Sequence, residues 1–378
     1  FPLTGQEYLL VTFETPGSAK EIELAFLIDK VIDRAPLRNK QSQFYDIHVV
    51  CPTFHCHLFS DVSKAYTGNI STMVSDIFKN HINTGSGNTR KELISNEKTV
   101  GEQNIIIPSW SAFTAINWLA KRAASESNSK VCDYVFYQDL DGFHFKSISS
   151  MFNKDPMQTY IYGADNARDF IRDNPNSEIN MQESFQNIRK LVACGFDRSR
   201  ETLKGTYSSS VLVHDIVTKS YDTIEYKYLD DFDKTPNLNG NPIMPKNNIY
   251  SDKINSKQYF VPSHLNLYGE PSASEENSGN DSVETWLPRH DAQINQFMSS
   301  SIEIDVAGDT NRRVGDKVFA VINSFESLDQ QGRSKLDPLI TGNYIVTKIK
   351  HTIHKTTGHT LKMKLCKDSN VESTSQNM

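Results

Sequence analysis

Cysteine is scarce in this chain of 378 residues: Cys51, Cys56, Cys132, Cys194 and Cys366 are scattered and odd in number. Five thiols cannot make a disulfide framework, so reduced cysteines and assembly in a cytoplasm are expected. Long apolar runs are missing too. No stretch approaches the roughly 20 residues that span a bilayer, so membrane insertion is not expected. No basic n-region precedes a signal-like core, and because the chain starts at Phe1 without Met, nothing follows about a leader. Positive charge is not in excess either. The formal charge is -6, which gives no electrostatic reason to hold a polyanion, because counterion release on nucleic acid needs clustered Lys and Arg. Nor does any stretch set a nucleophile beside a base.

What is present suits a polar, loop-rich protein with β structure. Hydrophobic residues make up 37% and charged residues 23%, and the 20 Phe and 15 Tyr lean toward strands. The length allows two or three domains at roughly 150 residues each.

Glu7 to Phe13, Ile22 to Ile32 and Phe44 to Phe59 read as strands of a small barrel or sandwich, separated by Pro16-Gly17 and a polar break. The third run carries Cys51, His55, Cys56 and His57. In a strand His55 and His57 would face one way and Cys56 the other, so no zinc site is expected. Ile70, Met73, Val74, Ile77 and Phe78 then recur at helical spacing as a core stripe. Thr84-Gly-Ser-Gly-Asn-Thr89 lacks the Lys-Ser/Thr ending of a phosphate cradle and reads as a loop.

The stretch from Ile105 to Ile148 organises the middle of the chain. Ser109 or Ser111 can cap a helix on which Phe113, Ile116, Ala120 and Ala123 share a face. Two β-rich runs then flank Asp139-Leu-Asp-Gly142, where Gly142 can supply the positive φ of a tight hairpin. Trp110, Trp118 and Phe143 are packing residues in this reading.

Asn174-Pro175 marks a candidate boundary, and Met181 to Gly195 reads as a helix or a new strand. Gly205 to Tyr228 is β again. It contains His214-Asp215, but adjacent strand residues point to opposite faces and make no dyad. Asp230 to Asp281 is Pro-rich and irregular, with Tyr250, Tyr259, Phe260, Leu265, Leu267, Tyr268 and Trp286 as anchors onto another domain or subunit. His290 to Met298 reads as a short helix and Ile302 to Val306 as a strand. In the last hairpin Ile345, Ile349 and Ile353 share one face, Leu361, Met363 and Leu365 return, and Lys348, Lys350, Lys362 and Lys364 line the other face.

The order of several segments resembles one family, the baseplate central hub proteins of contractile-tailed, T-even-like bacteriophages. That family is related to the late control and spike-hub proteins of phage-like injection systems. The segments are Phe1-Pro-Leu-Thr-Gly-Gln-Glu, Val62-Ser-Lys-Ala-Tyr-Thr-Gly-Asn-Ile-Ser and Pro108-Ser-Trp-Ser-Ala-Phe-Thr-Ala-Ile-Asn-Trp-Leu-Ala. Asp141-Gly-Phe-His-Phe-Lys-Ser, Gly342-Asn-Tyr-Ile-Val-Thr-Lys-Ile-Lys-His and Leu365-Cys-Lys-Asp complete the set. They span most of the chain apart from Asp230 to Asp281.

The resemblance implies an α+β, β-rich chain with two tail-tube-like β-barrel domains. The first would be residues 1–68, and the second would be split between 180–230 and 300–368. An α/β helix-hairpin domain (69–165) would be inserted between them, with an irregular outer domain (231–299) and a disordered tail (369–378). It further implies a virion protein of the tail baseplate, a homotrimer joining the sixfold tail tube to the threefold central spike. Partners would be the central spike protein, the tail tube or a tube-initiator protein, and other baseplate wedge proteins. DNA would meet it only by passing through the lumen, where three chains of formal charge -6 would present no cationic trap. No catalytic, cofactor-binding or metal-binding residue is expected, and no cofactor. Two other readings stand beside this one. A cell-wall hydrolase would draw on acids such as Glu225, Asp230 and Asp231. A carbohydrate- or receptor-binding tail protein would expose the aromatic residues of 250–268.

Overall fold

The computed structural model describes residues 3–15, 21–36, 43–83, 91–162, 186–193, 195–216, 219–244, 249–250, 253, 256–262, 283–324, 336–356 and 358–372. The Gly-rich 84–89, the Asn174-Pro175 boundary and the anchors Leu265, Leu267 and Tyr268 lie outside them.

Three antiparallel strands, β1 (Tyr8–Phe13), β2 (Ile22–Pro36) and β3 (Gln43–Val50), form the first sheet in the order β1-β2-β3. β1 alternates, with Leu9, Val11 and Phe13 half-buried and Tyr8, Leu10 and Thr12 exposed. The expected strand from Phe44 to Phe59 stops at Val50. Pro52, with φ already fixed and no N–H to lose, opens helix α1 (Pro52–Leu58) behind Cys51. His55 and His57 are therefore helical residues.

The next unit is β4 (Asp61–Gly68), α2 (Ile70–Ile77), β5 (Leu93–Asn96), β6 (Gln103–Ser111), α3 (Ala112–Arg122), β7 (Tyr134–Gln138), β8 (Phe143–Ser147) and α4 (Ser149–Phe152). β4 was expected in the first barrel, but it pairs with β6 in a two-stranded ribbon of this unit. Ile70, Met73, Val74 and Ile77 of α2 meet Ile116, Leu119 and Ala120 of α3, with Phe143 and Phe145 beneath. The helical spacings seen in the sequence do carry this core. Gly142, however, has no positive φ. A Cβ there would come within 2.6 Å of the Glu92 carbonyl and 2.8 Å of Ile94, so the glycine serves the close approach of the β5 chain.

β9 (Gln158–Tyr162) and β10 (Lys190–Ala193) leave this unit for the large sheet. Of the ambiguous 181–195 stretch, Lys190–Ala193 is thus a strand. Helix α5 (Arg198–Leu203) precedes β11 (Ser208–Asp215) and β12 (Ser220–Lys227). After α6 (Tyr228–Asp231) and β13 (Asn241–Pro242), β14 (Gln258–Pro262) runs parallel to β11. β11 and β12 were expected in the split barrel. They form a separate outer sheet, β12-β11-β14, whose inner face holds Val211 and Val213. Helix α7 (Val283–Ser299) begins seven residues before the expected His290, because Trp286 is an anchor packed on Ala124 and Cys132.

β15 (Ser300–Ala307), β16 (Lys317–Ile322), β17 (Gly342–His354) and β18 (Gly358–Lys367) complete the six-stranded sheet β10-β15-β18-β17-β16-β9. Its interior holds Ile302, Ile304, Val306, Val318, Tyr344, Val346, Met363 and Leu365. The two edges meet, since Ile188 N–H donates to Ile161 O at 2.9 Å just before β10 begins. The shared face of Ile345, Ile349 and Ile353 is corrected by a bulge between Val346 and Lys348. One extra residue reverses the alternation, so Ile345 points outward to Phe297 while Ile349 turns inward. Ile353 is exposed, and so are Lys348, Lys350 and Lys362. Ser369–Asn370, expected in a disordered tail, is the buried strand β19 pairing β13.

Gly142→Ala is expected to destabilise the protein by roughly 1–3 kcal/mol, since backbone rather than a flexible side chain must yield. A urea unfolding midpoint equal to that of the parent would contradict this account.

Candidate functional site

The residues that the sequence offered for chemistry do not converge. His57 stacks on Phe113 with centroids 4.2 Å apart, and its Nδ1 accepts from Phe113 N–H at 3.2 Å. Burial holds its pKa below the ordinary value. His55 stacks instead on Phe59, and Cys51 Sγ accepts from Gln138 Nε2 at 3.4 Å. Among the described residues no three His, Cys, Asp or Glu side chains gather as metal ligands. His214 faces the rings of Tyr221 and Phe260 on the outer sheet. Glu225 and Asp230 are exposed, whereas Asp231 is engaged by Lys234 at 3.1 Å and Arg289 at 3.3 Å. Of the 250–268 aromatics, Tyr250 packs on Tyr207, Tyr259 donates to Asp291 at 2.7 Å, and Phe260 is exposed.

Two joints between units hold the perturbed groups. The first surrounds a cavity of about 330 Å³ where β2, the β7–β8 turn and the loop before β16 meet. Arg313 from that loop grips Asp141 with both arms, at 2.6 and 3.1 Å, in the bidentate form that suits a guanidinium. Lys91 donates to the Leu140 carbonyl. Inside the turn, burial pushes the Asp139 carboxyl up, but His144 at 2.9 Å and the Gly142 N–H outweigh it and leave the pKa lowered. Beside the cavity, the end of β1 rests on the last hairpin. His351 Nδ1 and His359 Nε2 lie 3.0 Å apart, Thr15 Oγ1 is 3.2 Å from His359 Nδ1, and Phe13 sits 5.7 Å from both rings. Burial, then the neighbouring His359 and Arg313, lower His351 to about 4, and burial lowers His359. Both imidazoles are thus neutral near pH 7, so one ring N–H can donate to the other ring.

The second joint lies under α7. Asp133 Oδ2 accepts from Ser149 N–H at 2.8 Å and Ser149 Oγ at 2.7 Å, while its Oδ1 has no protein partner. Asp368 Oδ1 accepts from Leu238 N–H at 3.1 Å and Ser369 Oγ at 2.7 Å. Burial raises each to about 6 against those donors. Gln293 and Gln296 reach in from α7, bonding Cys132 N–H, Lys130 O and Asp368 O. Nothing in the sequence near Asp133 or Asp368 announces this, because the two are 235 residues apart and meet only through the helix. Both joints fasten units together.

No family model matches the chain, and no curated protein matches it. Solved structures do. A tail protein from Neisseria meningitidis MC58 superposes with a TM-score of 0.52 at 9% identity, over 92% of this chain and 81% of that one. The 43 kDa tail protein of prophage MuSo2 from Shewanella oneidensis gives 0.49 at 10% identity, over 96% and 89%. A chain of the Francisella PdpA-VgrG complex gives 0.37 at 9% identity, over 92% and 45%. At these identities the likeness to the Neisseria protein is one of fold. The Neisseria and Shewanella structures are both tail proteins.

The histidine joint weakens in acid. The folded pKa of His351 lies below the ordinary 6.5, so its contribution is full above about 6.5 and is lost as pH falls toward 4. With partial exposure discounted, the loss is on the order of 1 kcal/mol. With the intrinsic pH dependence of amide exchange divided out, the protection factors of Tyr8–Phe13 should therefore fall between pH 7 and 4.5, and those of the doubly substituted His351→Gln, His359→Gln protein should stay flat. The buried acids act oppositely. Their folded pKa values are raised, so the stability present below the ordinary 3.8 is lost as pH rises through about 6. Asp133→Asn keeps an acceptor for Ser149 and cannot ionise, so it should stabilise by roughly 1–2 kcal/mol at pH 7.5 and by nothing at pH 3.5. A loss of stability at both pH values in urea titrations would rule this out.

Proposed function

We propose that this chain is a structural protein of a phage-type tail baseplate, and that three copies form a hub joining a sixfold tail tube to a threefold central spike. The observation that carries the reading is the contrast between the two β-sheets. The six-stranded sheet brings its own edges together, whereas among the described residues no strand pairs with the outer edge of β1 or of β3 in the three-stranded first sheet. It also exposes large apolar side chains: Tyr8 is 61% exposed, Leu10 64%, Ile32 57% and Phe44 57%. An open, apolar sheet edge invites another chain, and a closed ring of identical subunits satisfies it without runaway growth. In this reading the first sheet is half of a tube-like barrel that a neighbouring copy completes.

The fold shared with the Neisseria tail protein supports the same assignment, as does the order of segments that resembles the hub family. Spike, tube or tube-initiator and wedge proteins are the partners in this reading, the virion tail is the location, and assembly takes place in the host cytoplasm. The role is mechanical and involves no reaction. With a formal charge of -6 per chain, the ring offers DNA in transit no net cationic surface.

Light scattering on the purified chain is expected to give three times 42.8 kDa, and Leu10→Asp with Phe44→Asp should shift it to monomer without unfolding the large sheet. A stable monomer at micromolar concentration that the spike protein cannot drive into a trimer would refute the proposal.

A further inference from the structure

Beneath α7 the chain closes around a small cavity of about 20 Å³, room for one particle the size of a water molecule. It is lined by Asp133 at the start of β7, Ser149 of α4, Asn237, Gln293 and Gln296 of α7, and Asp368 at the end of β18. No Lys, Arg or His is among the described lining residues. Both carboxyl groups are almost fully enclosed, Asp133 at 4% exposure and Asp368 at 5%. Ser149 satisfies only Oδ2 of Asp133, and Oδ1 is buried with no hydrogen-bond partner. At Asp368 both donors, Leu238 N–H and Ser369 Oγ, end on Oδ1, which leaves Oδ2 for an occupant.

The neighbouring amides could answer these acids with N–H groups, but their nitrogens are engaged by carbonyls. Gln293 Nε2 donates to Lys130 O at 2.8 Å and Gln296 Nε2 to Asp368 O at 3.0 Å. Asn237 Nδ2 donates to Phe232 O at 2.7 Å and to Thr235 O at 3.0 Å. What these three residues have left to offer is oxygen. Two carboxylates and several amide oxygens around a space that holds one small particle leave negative charge uncompensated where water is nearly excluded.

We propose that this cavity is a calcium-type cation site, in which one dehydrated divalent ion is held by Asp133 and Asp368, with amide oxygens of the lining residues as further ligands. Carboxylate and amide oxygens are the donors that hard cations take, and a divalent charge balances two carboxylates. The small volume disfavours magnesium, which keeps several of its waters. The ion would tie the helix-hairpin unit, through Asp133, to the large sheet, through Asp368. The site stands whether or not three chains form a hub.

The full chain is stripped with EDTA, desalted, and titrated by calorimetry with calcium chloride or magnesium chloride at pH 7.5 in constant potassium chloride. One calcium ion per chain is expected to bind with a saturable heat in the micromolar range, and magnesium roughly tenfold more weakly or worse. A hundredfold excess of calcium over Kd should raise Tm by roughly 3 °C. Asp133→Asn keeps the acceptor for Ser149 but not the charge, so its Tm should exceed that of the parent in EDTA and fail to respond to calcium. Asp368→Asn is the second variant, with the same expectation. Glu225→Gln, an exposed acid on β12 outside the cavity, should respond as the parent does. A purely structural aspartate would not change the order of parent and variant between EDTA and calcium. The proposal is overturned if the stripped chain gives no saturable heat at millimolar calcium, or if magnesium binds as tightly. It is equally overturned if both Asn variants keep the calcium response of the parent, which would place the ion elsewhere.

Discussion

The architecture turns on one helix that is apolar in three directions. Trp286 near the start of α7 packs on Ala124 and Cys132 of the helix-hairpin unit, Ala292 in its middle sits among Tyr207 and Tyr226 of the outer sheet, and Phe297 near its end meets Ile345 and Cys366 of the large sheet. Each contact would be small alone. Distributed along one rigid rod, they lock three units that share no sheet. The polar residues between them serve the same purpose, since His290 Nδ1 donates to Cys132 O at 2.7 Å and Gln296 caps the Asp368 carbonyl. Buried backbone groups at the ends of β7 and β18 find partners that their own sheets cannot give them.

Strand edges impose the second constraint. Every sheet must pair, cover or expose its outer N–H and C=O groups, and this chain uses all three solutions. The six-stranded sheet rolls until β9 meets the segment before β10, and β13 shields β19. Among the described residues no strand pairs with the outer edges of the first sheet, beside exposed Leu10 and Phe44, or with the far edge of β6. A monomer in isolation gains nothing from such edges. In the proposed assembly they would be where neighbouring chains attach.

The joints between units are electrostatically mixed. The Arg313–Asp141 clamp is a salt bridge, the His351–His359 contact is made by rings that burial keeps neutral near pH 7, and Asp133 and Asp368 are buried at the expense of their ionised forms. Carboxylates and imidazoles at the joints therefore pull stability in opposite directions across the acidic range.

Local pattern by itself determined much of this protein. The stripes of α2 and α3, the hairpin about Gly142, the strand at Ile302 to Val306 and the last hairpin were all written in residue spacing, because a side chain's face follows from its position along one element. Pairing between distant segments was not. The family resemblance placed β11 and β12 in the split barrel and the run of β-formers placed β4 in the first domain, since a strand's own residues do not name its partner. It ran a strand through Cys51 to Phe59 that Pro52 turns into a helix, and it missed the bulge after Val346 that reverses the face of every later residue in β17. Helix α7 was half-hidden because its apolar residues serve three neighbours and so show no single stripe. The meeting of Asp133 with Asp368 under α7 belongs to the tertiary structure alone, where contacts are set by packing across long separations in the chain.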